Sequence, residues 1–589
     1  MKVTFKDQIP DNVNIPFGIY QYDESLRQNS NYIDIRGIVR GKNSAWLDEI
    51  HSSFANLSSA FLRYTQWWWF TGMSRLDIRP WGQEGIFKPL LFAKAVLEWR
   101  KYHTNIKEIL LIGCDPMVAV YLKEFDKTLI LEGEKEICQP QLLIFHALKK
   151  SIWAVLRLLK VAYSICKNHM FKPSGKINYD VIVLYDPVPD VPVKSGYKYF
   201  YGSLFDSIND IKIGSIGYAC TGYTGYNAKQ ERREFSKNSS VFFLLDHINI
   251  VHLMQSIFIN IYIMLLTWVI AFRKLPCSIK GSDSFLFWQN YLFHELDRVP
   301  YLSNICNYMA LKSIFRQSSQ CKLVIYPYEE KGLERAILFA CQERGIRSIG
   351  YTPNPQYRTA LAMRDAPRPA SPKPSTYAVC GPNYADFFVS WGKKDNDSIS
   401  VWGSEKSSKK SLKTREINLS HPKILFLLSH PNELKIFHSW LRTNGRISYS
   451  VTYLVRPYKA ANYKEFEKVL TPMMNEFDCV KESHGELYED LQLCDLTIFC
   501  ATSAGLVAVN YGYLSIYLDL NDFLEINPCF DHLDVMLYCK SPAEFAVRLD
   551  EICNMSTDSI MELHQRQLSL VERIYSPIQT SLIEKELLC

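Results

Sequence analysis

Short apolar runs, each closed by small or polar residues, recur along this chain without the alternation of a half-exposed strand. Glu108–Gly113 (EILLIG), Thr128–Leu131 (TLIL), Val181–Tyr185 (VIVLY) and Leu323–Tyr326 (LVIY) form one series. Lys423–Leu428 (KILFLL), Ser450–Leu454 (SVTYL), Leu496–Phe499 (LTIF) and Ser515–Leu518 (SIYL) form a second. Continuous runs of this kind are what parallel strands covered on both faces require. Helical spacing intervenes at Glu334–Arg344, Glu433–Arg442, Tyr463–Glu476 and Glu486–Leu493, and a last helical region covers Pro542–Leu588. Strand and helix in alternation predict an α/β fold. A Pro/Ser-rich loop, Asp365–Thr376, and a Lys/Ser-rich stretch, Ser404–Leu419, lie between the two series, and the second reads as a linker. The expectation is two Rossmann-like domains facing each other across a cleft. The first covers 1–400, with a helical insertion near 145–275, and the second covers 420–589.

The chain has 589 residues, more than one hydrophobic core serves, so two or three domains are expected. Its 47% hydrophobic and 22% charged residues make it globular rather than disordered. A net charge of +6 spread over this length gives no basic stripe of the kind nucleic acid demands. Sixteen cysteines are scattered without CxxC pairs, and Lys2, Lys6, Asp7 and Asp11 interrupt the opening residues where a secretory signal would be apolar. Free thiols in a reducing cytoplasm are expected.

Two segments bring in a membrane. From His247 to Phe272 there is no Asp, Glu, Lys or Arg, and Arg273 and Lys274 follow. That length suffices to span a bilayer, but His252, Gln255, Ser256 and Asn260 dilute it, so a buried or membrane-surface helix is preferred over a span. Lys149–Lys167 sets Lys149, Lys150, Arg157, Lys160 and Lys167 among Trp153, Leu156, Leu159 and Val161, as an interfacial helix would. Two core helices with a solvated basic edge fit equally well. The resulting expectation is a cytoplasmic protein, peripheral on the inner face of the cytoplasmic membrane.

The chemistry concentrates after the later strands. Leu496–Phe499 runs into Ala501, Thr502, Ser503, Ala504 and Gly505 and then a helix. Hydroxyls and free backbone N–H groups at such a turn suit a phosphate, although an ordinary strand–turn–helix connection capped by Thr502 or Ser503 uses the same residues. The preceding strands end at Ser429-His430 and at Arg456-Pro457-Tyr458-Lys459. Loops after successive parallel strands emerge on one edge, so His430, Arg456, Lys459, Thr502, Ser503 and Gly505 are candidates for holding a nucleotide. In the first series Glu329, Glu330 and Glu334 close Leu323–Tyr326 and open the next helix. Carboxylates at a cleft edge suit acid–base work, while acids also decorate helix starts for dipole reasons, with Arg335 then a surface partner. Trp67, Trp68, Trp69 and Trp81 beside Arg75, Asp77 and Arg79 suit a sugar surface or a buried cluster. P-loop, GxGxxG, HExxH and GxSxG motifs are absent, as is a DxD pair at a strand end, so no metal and no cofactor are expected.

Taken together, the WWWF at Trp67–Phe70, YGSL at Tyr201–Leu204, YPYEEKGLERAI at Tyr326–Ile337 with the following IGYTPNP, YAVCGPNYADFFVSWG at Tyr377–Gly392 and ATSAGLVAVNYG at Ala501–Gly512 resemble bacterial GT-B glycosyltransferases. The nearest resemblance is to surface-carbohydrate (O-antigen, lipopolysaccharide and capsule) biosynthesis proteins, distantly like capsular Kdo and sialic-acid-type transferases. The resemblance implies a nucleotide-sugar donor in the C-terminal domain, with Thr502 and Ser503 at its phosphates and Arg456 and His430 beside it. It also implies a glycan or lipid-linked oligosaccharide acceptor in the N-terminal domain, with Glu329 or Glu334 in the catalytic region. Many relatives carry a His where this chain has Thr352, Pro353 and Asn354. The seven-spaced glutamate pair of many retaining enzymes is not evident around Asp519–Glu525, which tilts the donor towards a CMP-linked ulosonate. A nucleotide-sugar epimerase of the same architecture, and a non-catalytic scaffold for polysaccharide assembly, are the alternatives.

Overall fold

The structure, a computed structural model, describes 35–70, 87–103, 140–168, 178–185, 198–217, 242–273, 285–407 and 421–588 with short gaps (among others 297–301, 358–363, 365–371, 445–450, 458–462 and 521–525), plus isolated strands near the N-terminus. Every strand pairing within its three sheets is parallel. The first sheet holds β1 (Lys2–Lys6), β2 (Phe17–Ile19), β3 (Tyr32–Ile33), β4 (Glu108–Leu111) and β5 (Ile130–Glu132) in the order β3-β2-β1-β4-β5. The second holds β6 (Val181–Tyr185), β7 (Ile213–Gly217), β8 (Phe242–Phe243), β9 (Leu323–Pro327), β10 (Arg347–Thr352), β11 (Thr376–Val379) and β12 (Ile399–Val401), ordered β12-β11-β10-β9-β6-β7-β8. The third holds β13 (Lys423–Leu427), β14 (Thr452–Arg456), β15 (Val480–Glu482), β16 (Leu496–Phe499) and β17 (Ser515–Tyr517), ordered β15-β14-β13-β16-β17.

The expected α/β pair of Rossmann-like domains is thus present as the second and third sheets. Their central strands β6, β9 and β16 are buried at every position, which is why their sequences run apolar without alternation. The strands Glu108–Leu111 and Ile130–Glu132 do not join that first domain. Glu108–Leu111 pairs with the N-terminal β1, and Ile130–Glu132 pairs with Glu108–Leu111, to form the additional sheet.

The C-terminal region divides into three helices, Pro542–Cys553, Thr557–Ile574 and Thr580–Leu588. Between the last two the chain crosses back to the second sheet. Ser576 N–H donates to Cys380 O, Ser404 N–H to Ser576 O and Gln579 N–H to Trp402 O, each at 2.9 Å. A Cβ on Gly403, at φ +83°, would lie 2.2 Å from Pro577 O. Glycine therefore both permits the backbone conformation and admits the crossing strand. Ile583 and Leu587 of the last helix then pack among Tyr201, Tyr351 and Trp402. This return locks the two Rossmann-like domains together with their carboxyl edges in contact.

Candidate active site

Parallel sheets present ligand-binding loops at their carboxyl ends, above all where the strand order reverses. In the third sheet that point lies between β13 and β16, and in the second between β6 and β9. The loops after β10 and β16 and the segment after β12 are brought together.

Lys406, just beyond β12, is at the centre. Its Nζ donates to Asn354 Oδ1, after β10, and to Ser503 Oγ at 3.3 Å, after β16. Asn510 Nδ2 donates to Lys406 O at 2.6 Å, and the ring of Tyr575 lies 5.8 Å from Lys406 Nζ. Tyr357 OH donates to Ala501 O at 3.0 Å, so the loop after β10 is stitched to the edge of the third sheet. Burial pulls the Lys406 ammonium down from 10.5 to about 8, because the cation there has lost much of its hydration. A half-buried cation beside a serine hydroxyl and an amide is fit to receive an anion.

Thr502 and Ser503 are therefore at the meeting edge, half-buried. Their helix, Ala504–Asn510, is only seven residues long, so the dipole argument that drew attention to it carries little weight. Thr502 Oγ1 is already engaged with Ala504 N–H at 3.2 Å. Gly505 is a packing residue, since a Cβ would come 2.2 Å from the Phe499 ring. Glycine there lets the short helix lie directly on β16.

His430 stands at the same edge but works as the cap of the helix Pro431–Thr443, its Nδ1 accepting from Asn432 N–H at 3.2 Å. Arg456, at the end of β14, is not aimed at open space. Its Nη1 binds Asp490 and donates to Gly485 O, and Asp490 is buried and also receives Ser483 Oγ. The guanidinium thus holds the β14 and β15 loops together. Lys459 lies outside the described residues.

The carboxylates separate into two roles. Glu329 is half-buried at the end of β9, at the reversal point of the second sheet. Glu334 is buried at 1% exposure, and its Oε2 accepts the Glu329 backbone N–H at 2.8 Å. The expectation that both face a ligand is corrected for Glu334, which pins the loop that carries Glu329. Arg335, expected as a surface partner, is fully buried. Glu330 lies outside the described residues.

Two further groups were not anticipated. Glu433 is buried in the reversal crevice between β13 and β16. It accepts from Ser429 N–H at 2.8 Å and from Ser429 Oγ at 2.5 Å, with the backbone N–H groups of His430 and Ala501 also directed to it. Burial raises it from 4.5 to about 7 against the opposing effect of those donors. The Glu433 carboxyl group fills the innermost part of that crevice, and Ser503 and Lys406 lie outside it. Asp519, at the end of the third sheet, is fully buried and pairs with Arg40 of the helix Ile35–Leu62 and with Tyr538 OH at 2.8 Å. Burial alone would lower the Arg40 pKa, but the Asp519 carboxylate outweighs it and holds the guanidinium above its ordinary range. Among the described residues no three His, Cys, Asp or Glu side chains gather as a metal site requires.

Trp67 and Trp68 belong to the core, while the Trp69 side chain lies outside the described residues. Trp68 is fully buried and stacks on Phe61 at 4.0 Å, and Trp67 meets Phe70 and Tyr308 edge-on. The sugar-surface alternative is thus not realised at Trp67 and Trp68. Arg75, Asp77, Arg79 and Trp81 lie outside the described residues.

No protein-family model matches this chain, and no curated protein matches it. Among solved structures, the N-terminal domain of Candida albicans trehalose-6-phosphate phosphatase is similar at 10% identity, covering 71% of this chain and 99% of its own, with a TM-score of 0.41. Anabaena HepE in complex with UDP is similar at 8%, covering 69% and 98%, with a TM-score of 0.40. The lipopolysaccharide outer core galactosyltransferase WaaB, in its apo form, is similar at 9%, covering 69% and 97%, with a TM-score of 0.37. Similarity this distant says nothing of this chain's own ligand.

Proposed function

We propose that this chain is a glycosyltransferase of GT-B type that moves a sugar from a nucleotide donor to a surface-polysaccharide or lipid-linked glycan acceptor. The observation that carries the reading is the meeting of Ser503, Lys406 and Asn354 where the carboxyl edges of two Rossmann-like sheets touch. In this reading the donor's phosphates bind at Thr502, Ser503 and the Lys406 ammonium, with His430 beside them. The leaving nucleotide gains negative charge as the glycosidic bond breaks, and a desolvated cation stabilises that charge more than it would in water. Glu329 takes the proton of the acceptor hydroxyl, and Glu334 fixes the loop from which it does so. The contact of the two carboxyl edges holds donor and acceptor in position and excludes water. Neither a metal nor a cofactor has a role in this scheme, and a CMP-linked ulosonate is the favoured donor.

The test is turnover. Nucleotide sugars carrying CMP, UDP, GDP or dTDP are incubated with the protein, with and without a lipid-linked glycan fraction, in the presence of EDTA. Acceptor-dependent release of one free nucleotide is expected. Conversion of the sugar nucleotide without acceptor would replace the reading with epimerase chemistry. Absence of both binding and turnover across the panel would replace it with a scaffold role.

A further inference from the structure

Two long helices beside the second sheet have their apolar sides turned outward. The helix Ile250–Ala271 exposes Val251, Met254, Phe258, Tyr262, Leu265 and Val269, spaced three or four apart and each 43–64% exposed. Its inward side is packed by Leu253, Ile263, Leu266 and Ile270, with Ser256, Asn260 and Thr267 buried among them at no more than 1% exposure. Their polar atoms donate to the helix's own carbonyls, of His252, Ser256 and Ile263. The helix is thus apolar on both faces, whereas a surface helix of a water-soluble domain turns a polar face outward.

The neighbouring helix Pro140–Asn168 meets the body along Ala147, Ala154, Leu158, Ala162 and Ile165. Its outer stripe is Leu148, Ile152, Leu156, Leu159 and Tyr163, 50–66% exposed. The two helices lie against each other, with Trp268 Nε1 donating to Ser151 Oγ at 3.0 Å. Together with Phe272 they hold sixteen of the twenty-five large apolar side chains exposed among the described residues, so the patch is a concentrated surface rather than scattered exposure.

Charge identifies the occupant. The helix Pro140–Asn168 has Lys149, Lys150, Arg157, Lys160 and Lys167 and no acid, and the helix Ile250–Ala271 has no acid either. At 100° per residue the exposed Lys149, Lys160 and Lys167 fall along one border of the outer apolar stripe. A groove at the start of the second helix adds His252, Lys312 and Arg316 beside Val251 and Phe258. A protein partner would not need a cationic border around a broad apolar face, whereas an anionic lipid surface offers both matching layers.

The geometry points to monotopic docking: these two helices lie in the plane of an anionic bilayer, outer stripes in the acyl boundary and cations among lipid phosphates. The inference is independent of the reaction in the cleft. It also selects against a span for 250–271, because that helix is packed along its inner side by the helices Phe285–His294 and Leu302–Gln317.

The test is flotation of the full chain with vesicles of phosphatidylcholine alone or containing phosphatidylglycerol. Binding at least about tenfold tighter to the anionic vesicles, weakened by salt, is expected from several basic residues acting together. The variant Leu156→Glu/Phe258→Glu should lose binding to both, and Lys149→Glu/Lys160→Glu should lose the lipid-charge dependence, with circular dichroism unchanged in each. Equal flotation of wild type and Leu156→Glu/Phe258→Glu overturns the proposal, as does no flotation at all. A concentration-dependent dimer abolished by the first variant, without vesicle binding, would assign the face to a second copy of the chain instead. Wild type retained on vesicles through high-salt and alkaline washes would overturn monotopic docking in favour of a span.

Discussion

Lys406→Met keeps the length of the side chain and removes its charge, and the structure sets the size of two opposite effects. With its pKa taken from 10.5 to about 8, keeping the ammonium charged at pH 7 costs about 3 kcal/mol, or about 2 kcal/mol after allowing for its partial exposure. Against that relief stand the hydrogen bonds to Asn354 and Ser503, each worth about 1 kcal/mol. The two nearly cancel, so the melting temperature without ligand should move by only about 2–4 °C in either direction. Nucleotide binding should not be spared. Loss of a charge-assisted contact to phosphate costs about 1.5–3 kcal/mol, a weakening of about 10- to 150-fold. The pH dependence has a fixed sign. The folded protein releases the Lys406 proton before the unfolded chain does, so stability without ligand rises as the pH goes from about 8 towards 10.5. A bound phosphate draws the proton back, so affinity falls as the pH passes about 8. Calorimetric titration of wild type and Lys406→Met with CMP, UDP, GDP and dTDP, at pH 7 and at pH 9, measures all of this alongside thermal melts. A variant that melts far below wild type yet binds nucleotide as tightly would show that Lys406 is a strut between domains, and the reasoning would fail.

Glu433 makes a second pH prediction. Its carboxyl is raised from 4.5 to about 7 by burial, so the folded state holds a proton that the unfolded state has lost, and stability falls as the pH rises through that window by up to about 3 kcal/mol. Thermal melts at pH 5 and pH 8 should show the fall, and Glu433→Gln should flatten it; an unchanged slope would remove Glu433 as its source. Asp519→Asn leaves the Arg40 guanidinium without its buried counter-charge and should destabilise by about 3–5 kcal/mol in chemical denaturation. Combining it with Arg40→Met should cost less than the two single changes added, and strict additivity would show that the pair is not coupled.

How much could be read before the fold was known depended on whether a residue's role was local. Val181–Tyr185 and Leu496–Phe499 were legible to the residue because burial on both faces writes itself into every position. β10 stood out from the resemblance and not from the apolar pattern, because Gly350 and Ser348 interrupt its run, and at Gly350 a Cβ would meet the Tyr328 side chain at 3.0 Å. The separate N-terminal sheet was hidden for a different reason: β1 pairs with β4 across some hundred residues, and strand partners leave no trace in local spacing. The same distinction sorts the site. The position of Ser503 at the edge of the third sheet was legible from its turn. Arg456 and Glu334 were read as ligands because their partners, Asp490 and the Glu329 backbone, are set by the fold. Lys406 was passed over because a Lys- and Ser-rich stretch has the composition of a linker. Only the crossing of the chain back to the second sheet places its amine at Ser503.

The central claim is that a nucleotide sits where the two carboxyl edges meet. Photoaffinity labelling with azido-cytidine and azido-uridine nucleotides, followed by peptide mapping, tests it most directly. Label within 404–407 or 501–505, competed by unlabelled nucleotide and reduced in Lys406→Met, is the predicted result. Competable label confined to the N-terminal sheet, or label that unlabelled nucleotide does not displace, would contradict it.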